Sequence, residues 1–275
     1  MEPMLNVAIM AARRGGDTLF RNLNKLEKLK VEVKGRNDFV SEADRNAEKA
    51  VISAIQRHYP DHAILAEESG QQGDSEYLWI IDPLDGTTNY LHGFPVFCVS
   101  VGLMHNGRLE HGAVYDPMRQ ELFTASRGQG AQLDGRKIRV SKRTALEQAL
   151  IGTGFPFRDS NMALDPYVRM LVNAIKNTEG IRRAGAAALD LCYVAAGRLD
   201  AFWETGLSIW DLAAGALIIR EAGGIISGLD GSEDFLQTGH VLTGTPKIYT
   251  ALAKQFGPDI KEMFAKGSEP FSRET

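Results

Sequence analysis

From Leu5 to about Leu26 the apolar residues recur at helical spacing. A second helix is predicted after Ser41, where Val51 and Ile55 fall on one face with Ala47 and Glu48 and where Asp44 stands at the start. Two short apolar runs follow, Ala63 to Ala66 and Tyr77 to Ile81. Each ends in acidic residues, the pattern of strands that deliver carboxylates to one rim of a sheet. From Val96 to Val140 the chain reads as an antiparallel meander, with Asn106-Gly107 and Asp134-Gly135 as hairpin turns and Arg127-Gly128-Gln129-Gly130 as a flexible break.

After Gly152 the pattern changes to alternating helices and strands. Helices are predicted over Pro166 to Lys176, Ala186 to Ala196 and Asp211 to Ala222, the last stopped by Gly223-Gly224, with Ala201 to Glu204 extended between them. Strands near Ile225 and Val241 and a final helix from Pro246 complete the order. No Pro-, Gly- or Ser-rich linker divides the chain, and no repeat of solenoid length is visible. One domain is therefore expected over 1–257, an antiparallel-sheet half to about 145 sharing an interface with an α/β half from about 146. Residues 258–275 read as a polar, partly disordered tail.

Composition narrows the function without changing this outline. Of 275 residues, 44% are hydrophobic and 24% charged, which is ordinary for a globular protein and excludes disordered and fibrous classes. A net charge of -4 leaves no broad basic field, and no nucleic-acid-binding motif stands out. Cys98 and Cys192 lack partners at zinc-ligand spacing and read as buried thiols. With no apolar stretch long enough for a bilayer and no basic leader, a cytoplasmic location is expected.

The candidate chemistry lies in carboxylates at strand and helix ends. Asp82-Pro83-Leu84-Asp85-Gly86-Thr87-Thr88-Asn89 follows the apolar strand Leu78-Trp79-Ile80-Ile81 directly. A bare Asp-x-x-Asp-Gly is otherwise an acidic turn beside a helix cap, but acids emerging from a buried strand are costly without a cation. Oxygen donors of this kind suit a hard ion such as Mg²⁺. Glu67-Glu68 follows the neighbouring strand in the same manner, with a solvated turn as the alternative. Asp211, in Ser208-Ile209-Trp210-Asp211-Leu212-Ala213-Ala214, is either a helix cap or a ligand at a buried helix end. Asp44 reads as a helix-end residue with an indirect part in the metal site. Walker, dinucleotide-binding, serine-hydrolase and zinc-protease patterns are absent.

Trp79 to Asn89 resembles the first signature of the inositol monophosphatase family, and Trp210-Asp211-Leu212-Ala213-Ala214-Gly215 through Glu221-Ala222-Gly223-Gly224 resembles its second. The family belongs to the lithium-sensitive, metal-dependent phosphatase superfamily, and the likeness runs to about Phe256. It implies an α+β fold, the layered α-β-α-β-α sandwich shared with fructose-1,6-bisphosphatase-like proteins, usually as a homodimer. It also implies two or three Mg²⁺ ions per site. Glu67 resembles the ligand shared by the first and a third metal, and Asp82 the acid bridging the two main metals. By the same resemblance Leu84 would offer its carbonyl to the first metal, and Asp85 and Asp211 resemble the remaining ligands of the second. Thr87, with Glu67, resembles the pair that orients the attacking water, and Asp44 the acid hydrogen-bonded to that threonine.

Gly185, Ala187 and Glu204 match positions that contact an inositol ring, Asp85 also meets a ring hydroxyl, and the N–H groups of Gly86 and Thr87 face phosphate if they open a helix. The expected reaction is hydrolysis of myo-inositol monophosphate by direct attack of water. Another small ester, a sugar phosphate or a nucleotide 3'-phosphate, is the alternative substrate. The opening Met-Glu-Pro-Met-Leu-Asn-Val-Ala and Gly154-Phe155-Pro156-Phe157-Arg158 resemble the bacterial SuhB-type branch. Some members of that branch also serve in ribosomal RNA transcription antitermination, which implies Nus factors and RNA polymerase as partners and leaves open that binding them is the main task.

Overall fold

The computed structural model describes residues 2–23, 26, 31–35, 38–156 and 164–265. In chain order the elements are α1 (Pro3–Asn22), β1 (Val31–Gly35), β2 (Asp38–Ser41), α2 (Glu42–Gln56), β3 (Ala63–Ala66), β4 (Gly70–Gln72), β5 (Tyr77–Asp85), α3 (Thr87–Leu91), β6 (Cys98–His105), β7 (Arg108–Asp116), β8 (Glu121–Ser126), β9 (Gly130–Leu133) and β10 (Arg136–Lys137). There follow β11 (Leu150–Thr153), α4 (Leu164–Asn177), β12 (Gly180–Arg182), α5 (Ala187–Ala195), β13 (Ala201–Glu204), α6 (Ile209–Glu221), β14 (Ile225–Ser227), α7 (Phe235–Thr238), β15 (Val241–Gly244) and α8 (Pro246–Ala265).

Two large sheets and three helical layers alternate, and β1 and β2 form a separate two-stranded antiparallel sheet. The larger sheet runs β10-β9-β8-β7-β6-β5-β3-β4 and is antiparallel except for the β3–β5 pair. The smaller runs β12-β11-β13-β15-β14, parallel on one side and antiparallel on the other. Helices α1 and α2 cover the outer face of the large sheet, α5 and α6 fill the middle, and α4 and α8 cover the small sheet. This is the expected α-β-α-β-α sandwich.

Strand alternation explains the layering. Trp79 and Ile81 on β5 pack with Val7, Ala47 and Val51 of the outer helices, whereas Ile80 packs with Leu189 and Leu212 of the middle layer. The large sheet is thus apolar on both faces. Helix α6 is buried without a break from Asp211 to Ile219, as a helix between two sheets must be. Its close approach depends on a glycine pair: Gly102 and Gly112 stand opposite each other on β6 and β7. A Cβ on Gly102 would lie 3.1 Å from Ala213 Cβ, and one on Gly112 would lie 2.9 Å from Ala214 O. These contacts set the depth of the helix start that carries Asp211.

Both predicted hairpin turns form, with positive φ at Asn106 and Gly107 and again at Asp134 and Gly135, the pattern of a two-residue type I′ loop. The predicted flexible break at Arg127 to Gly130 is instead an anchored turn. Glu221, at the end of α6, accepts hydrogen bonds from the N–H groups of Gly128 and Gly130, both at 2.7 Å. The assigned start of the tail is corrected as well, because α8 continues through Pro258 to Ala265. Leu252, Phe256, Ile260 and Met263 keep helical spacing and are buried, and that burial outweighs the N–H missing at Pro258. Residues 266–275 lie outside the described residues. The strands β1, β2, β4, β11 and β12 and the short α7 were not predicted. No described helix is long and apolar enough to cross a membrane.

Candidate active site

The first signature does not leave its strand where the apolar run ends. β5 continues to Asp85, and its register against β6 slips by one residue between Asp82 (opposite Ser100) and Asp85 (opposite Cys98). Pro83, which has no N–H to give the ladder, sits in this bulge. The Leu84 N–H donates to Asp82 Oδ1 at 2.9 Å and fixes the bend. Gly86 then takes φ +93°, where a Cβ would also lie 2.9 Å from Val96 O, and caps the N-terminus of α3.

These local devices bring Asp82 and Asp85 to Asp211. One carboxylate oxygen from each lies within 4.8 Å of the other two, and all three residues are buried. Burial pushes the Asp82 carboxyl well above its usual range, with Glu67, Asp85 and Asp211 adding repulsion. Asp85 is pushed up to about 7, first by burial and then by Asp211. Opposing that rise are the backbone N–H groups of Ala188 and Ala187 and the Cys98 thiol. Ala188 N lies 2.7 Å from Asp85 Oδ2, and Cys98 Sγ lies 3.7 Å from it. Among the described residues no lysine or arginine forms an ion pair with any of the three acids. An all-oxygen, uncompensated donor set of this kind fits a hard divalent cation.

Asp211 caps its helix and also reaches the acidic cluster. Its Oδ2 accepts from Ser208 N–H at 2.6 Å within a capping box, while the residue still reaches the cluster. Glu67 stands beside the trio rather than in it: it is close enough to raise Asp82, and its N–H donates to Ile81 O at 3.2 Å. The neighbouring Glu68 N–H donates to Glu48 Oε2 at 2.8 Å, so a buried acid of α2 anchors this turn. Leu84 O and Asp44 Oδ1 both face Thr87 Oγ1, at 3.0 and 3.1 Å.

Across the cluster, Ala187 opens α5 and Gly185 precedes it at φ +84°. Glu204 ends β13, and its carboxyl fills the space a side chain at Gly154 would need. Asp190 was not anticipated. It is buried on α5, its Oδ1 has no hydrogen-bond partner among the described residues, and burial, then Glu204 and Asp85, raise its carboxyl above the usual range while Arg183 opposes. A lone acid inside the apolar run Ala186 to Ala195 was the available signal. Phe157 and Arg158 of the branch motif lie outside the described residues.

The layered α+β sandwich and the buried cluster of Asp82 and Asp85 on β5 with Asp211 on α6 fit the class of divalent-metal-using phosphatases. The family model described as "Inositol monophosphatase family" matches residues 1–260, and the chain belongs to this family. Nus factor SuhB of Pseudomonas aeruginosa is 54% identical over 265 residues, covering 94% of this chain and 98% of that protein. Nus factor SuhB of Escherichia coli K12 is 44% identical over 264 residues, 95% and 98% of the two chains. Among solved structures, the extragenic suppressor protein suhB from Bartonella henselae superposes with a TM-score of 0.90 at 43% identity, covering 93% and 98%. An inositol monophosphatase from Anabaena gives 0.78 at 38% identity, covering 98% and 97%.

Proposed function

We propose that the chain is a Mg²⁺-dependent phosphomonoesterase that hydrolyses myo-inositol monophosphate to inositol and phosphate. The observation that carries this reading is the buried trio of Asp82, Asp85 and Asp211, whose repulsion calls for positive charge. Glu67, Asp82, the Leu84 carbonyl, Asp85 and Asp211 would hold two or three Mg²⁺ ions. When bound, Mg²⁺ supplies Lewis acidity, favouring ionised water and offsetting charge on the phosphoryl and leaving oxygens.

The protein's own groups position the reactants. Thr87 has one hydroxyl proton and two acceptors around it, Asp44 Oδ1 and Leu84 O, so its proton is committed. A lone pair of Oγ1 is left to accept from the attacking water, with Glu67 as the second orienting group. Gly86 and Thr87 open α3 and offer backbone N–H groups to the phosphate. Gly185, Ala187 and Glu204 face the polyol, and Asp85 meets one of its hydroxyls. A panel of phosphate esters assayed with and without Mg²⁺ tests the reading. Preferred release from inositol monophosphate supports it, preference for a sugar phosphate or nucleotide 3'-phosphate moves the substrate, and release untouched by chelator ends it.

A second reading concerns partners, and the Nus factor names of its relatives favour it. We infer that this chain also associates with Nus factors and RNA polymerase in the cytoplasm, as a homodimer. Recovery of Nus factors from extract by wild type and by Asp82→Asn alike would separate this task from catalysis, and no recovery would refute it. Light scattering in solution tests the dimer.

A further inference from the structure

Asn89 lies in the first signature, yet nothing so far assigns it a task. Its side-chain Nδ2 lies 2.8 Å from Val96 O, 2.9 Å from Ala184 O and 3.3 Å from Gly185 O. Three carbonyl neighbours fix the amide's orientation, since the flipped group would set an oxygen against oxygens. With two N–H donors, the amide ties Val96 to the Ala184-Gly185 backbone and leaves Gly185 O as a shared acceptor. The segment it holds has little support of its own conformation: Gly185 has φ +84°, and a Cβ there would lie 2.6 Å from Arg183 Nη1 and 3.1 Å from Asn89 Nδ2.

The same segment meets the acidic cluster one step later, where Ala188 N–H donates to Asp85 Oδ2. The stretch from Ala184 to Ala188 is therefore pinned twice to the Asp85–Asn89 stretch, once by a metal-site carboxylate and once by a neutral amide. Helix α3 is five residues long and places Asn89 one turn beyond Gly86, on the side facing α5. A neutral amide can hold backbone carbonyls beside this cluster without adding to its negative charge.

We propose that Asn89 is a positioning residue for substrate selection: it sets the height of the Ala184–Ala188 backbone over the cluster and so the fit of a ring polyol against Gly185 and Ala187. The proposal rests on the inositol phosphate reading above. Loss of the amide lets this backbone drift while the carboxylates keep their own anchors, so recognition of the ring suffers more than chemistry on the phosphate.

The test compares inositol monophosphate with p-nitrophenyl phosphate, an ester without polyol hydroxyls, for wild type, Asn89→Ala and the isosteric Asn89→Asp, which has no N–H to give. Mg²⁺ binding by calorimetry and thermal melting accompany the kinetics and report on the fold. The expected result is a rise of about tenfold in KM for inositol monophosphate, and a fall of similar size in the ratio of kcat/KM between the two esters. A ratio within about twofold of wild type in either folded variant overturns the role of Asn89. A wild type that shows no preference for the ring substrate overturns the polyol reading itself, and this role with it.

Discussion

The hydroxyl of Thr87, at the first turn of α3, lies 3.1 Å from the carboxylate of Asp44, at the first turn of α2. Asp44 is fully buried, so the acid belongs to the interior of the site and not to a solvated helix end. If this pair prepares Thr87 to orient water, removing the hydroxyl should cost rate and leave the metal in place. Thr87→Val is expected to lower kcat about 100-fold, with Thr87→Ser recovering most of it and the Mg²⁺ dissociation constant little changed. A Thr87→Val enzyme within about threefold of wild type would remove Thr87 from the mechanism.

Asp82 is the most crowded acid of the cluster. Replacing it by Asn removes a proposed ligand and also removes repulsion, so activity and stability should move in opposite directions. Phosphate release by Asp82→Asn should fall at least about 1000-fold. Its metal-free melting temperature should exceed that of metal-free wild type, and Mg²⁺ should raise it less. Chelator should silence wild type in the same assay.

The glycine pair under α6 makes a structural prediction about a chemical property. A valine at Gly112 would meet the backbone of Ala214 and force α6 away from β7. Overpacking of this kind costs about 2 kcal/mol and should weaken Mg²⁺ binding through Asp211, although residue 112 is remote in sequence from every proposed ligand. Calorimetry on Gly112→Val showing wild-type affinity would separate Asp211 from this contact.

Acid sensitivity should come partly from His62. Its ring stacks between Tyr59 and Tyr77, with centroids 4.7 and 4.5 Å away, and its Nδ1 accepts from Trp79 Nε1 at 3.1 Å. Burial holds its pKa below the usual value, against the pull of Asp61 and Glu76. The native state therefore binds fewer protons than the unfolded chain. Stability from this group is intact above about pH 6.5 and declines as pH falls toward the lower native value. His62→Gln, which keeps an acceptor and does not titrate, should flatten the melting temperature between pH 7 and 5 (on the order of those values). An unchanged slope would assign the effect to His111 and His240, which burial also lowers.

Local pattern was enough for much of this molecule. β3 and β13 have the bounds their apolar runs predicted, α6 begins two residues before its predicted start, and both two-residue turns form where Asn106-Gly107 and Asp134-Gly135 place them. Periodicity, capping and turn chemistry act over a few residues, so they can be read from the chain alone. The acids at the ends of β5 and at the start of α6 were visible for the same reason.

Tertiary packing decided what those acids amount to. Asp211 could have been only a cap; contact of Ala213 and Ala214 with Gly102 and Gly112 also brings it to Asp82 and Asp85. Glycines at 128 and 130 read as slack until Glu221 of a distant helix supplies their acceptor. Asp190 and Asn89 were likewise mute, because an acid or an amide acquires its role from neighbours that only the folded chain supplies. Shape match between a helix and a sheet depends on surfaces far apart in sequence, and hydrophobic period carries no record of which surfaces will meet.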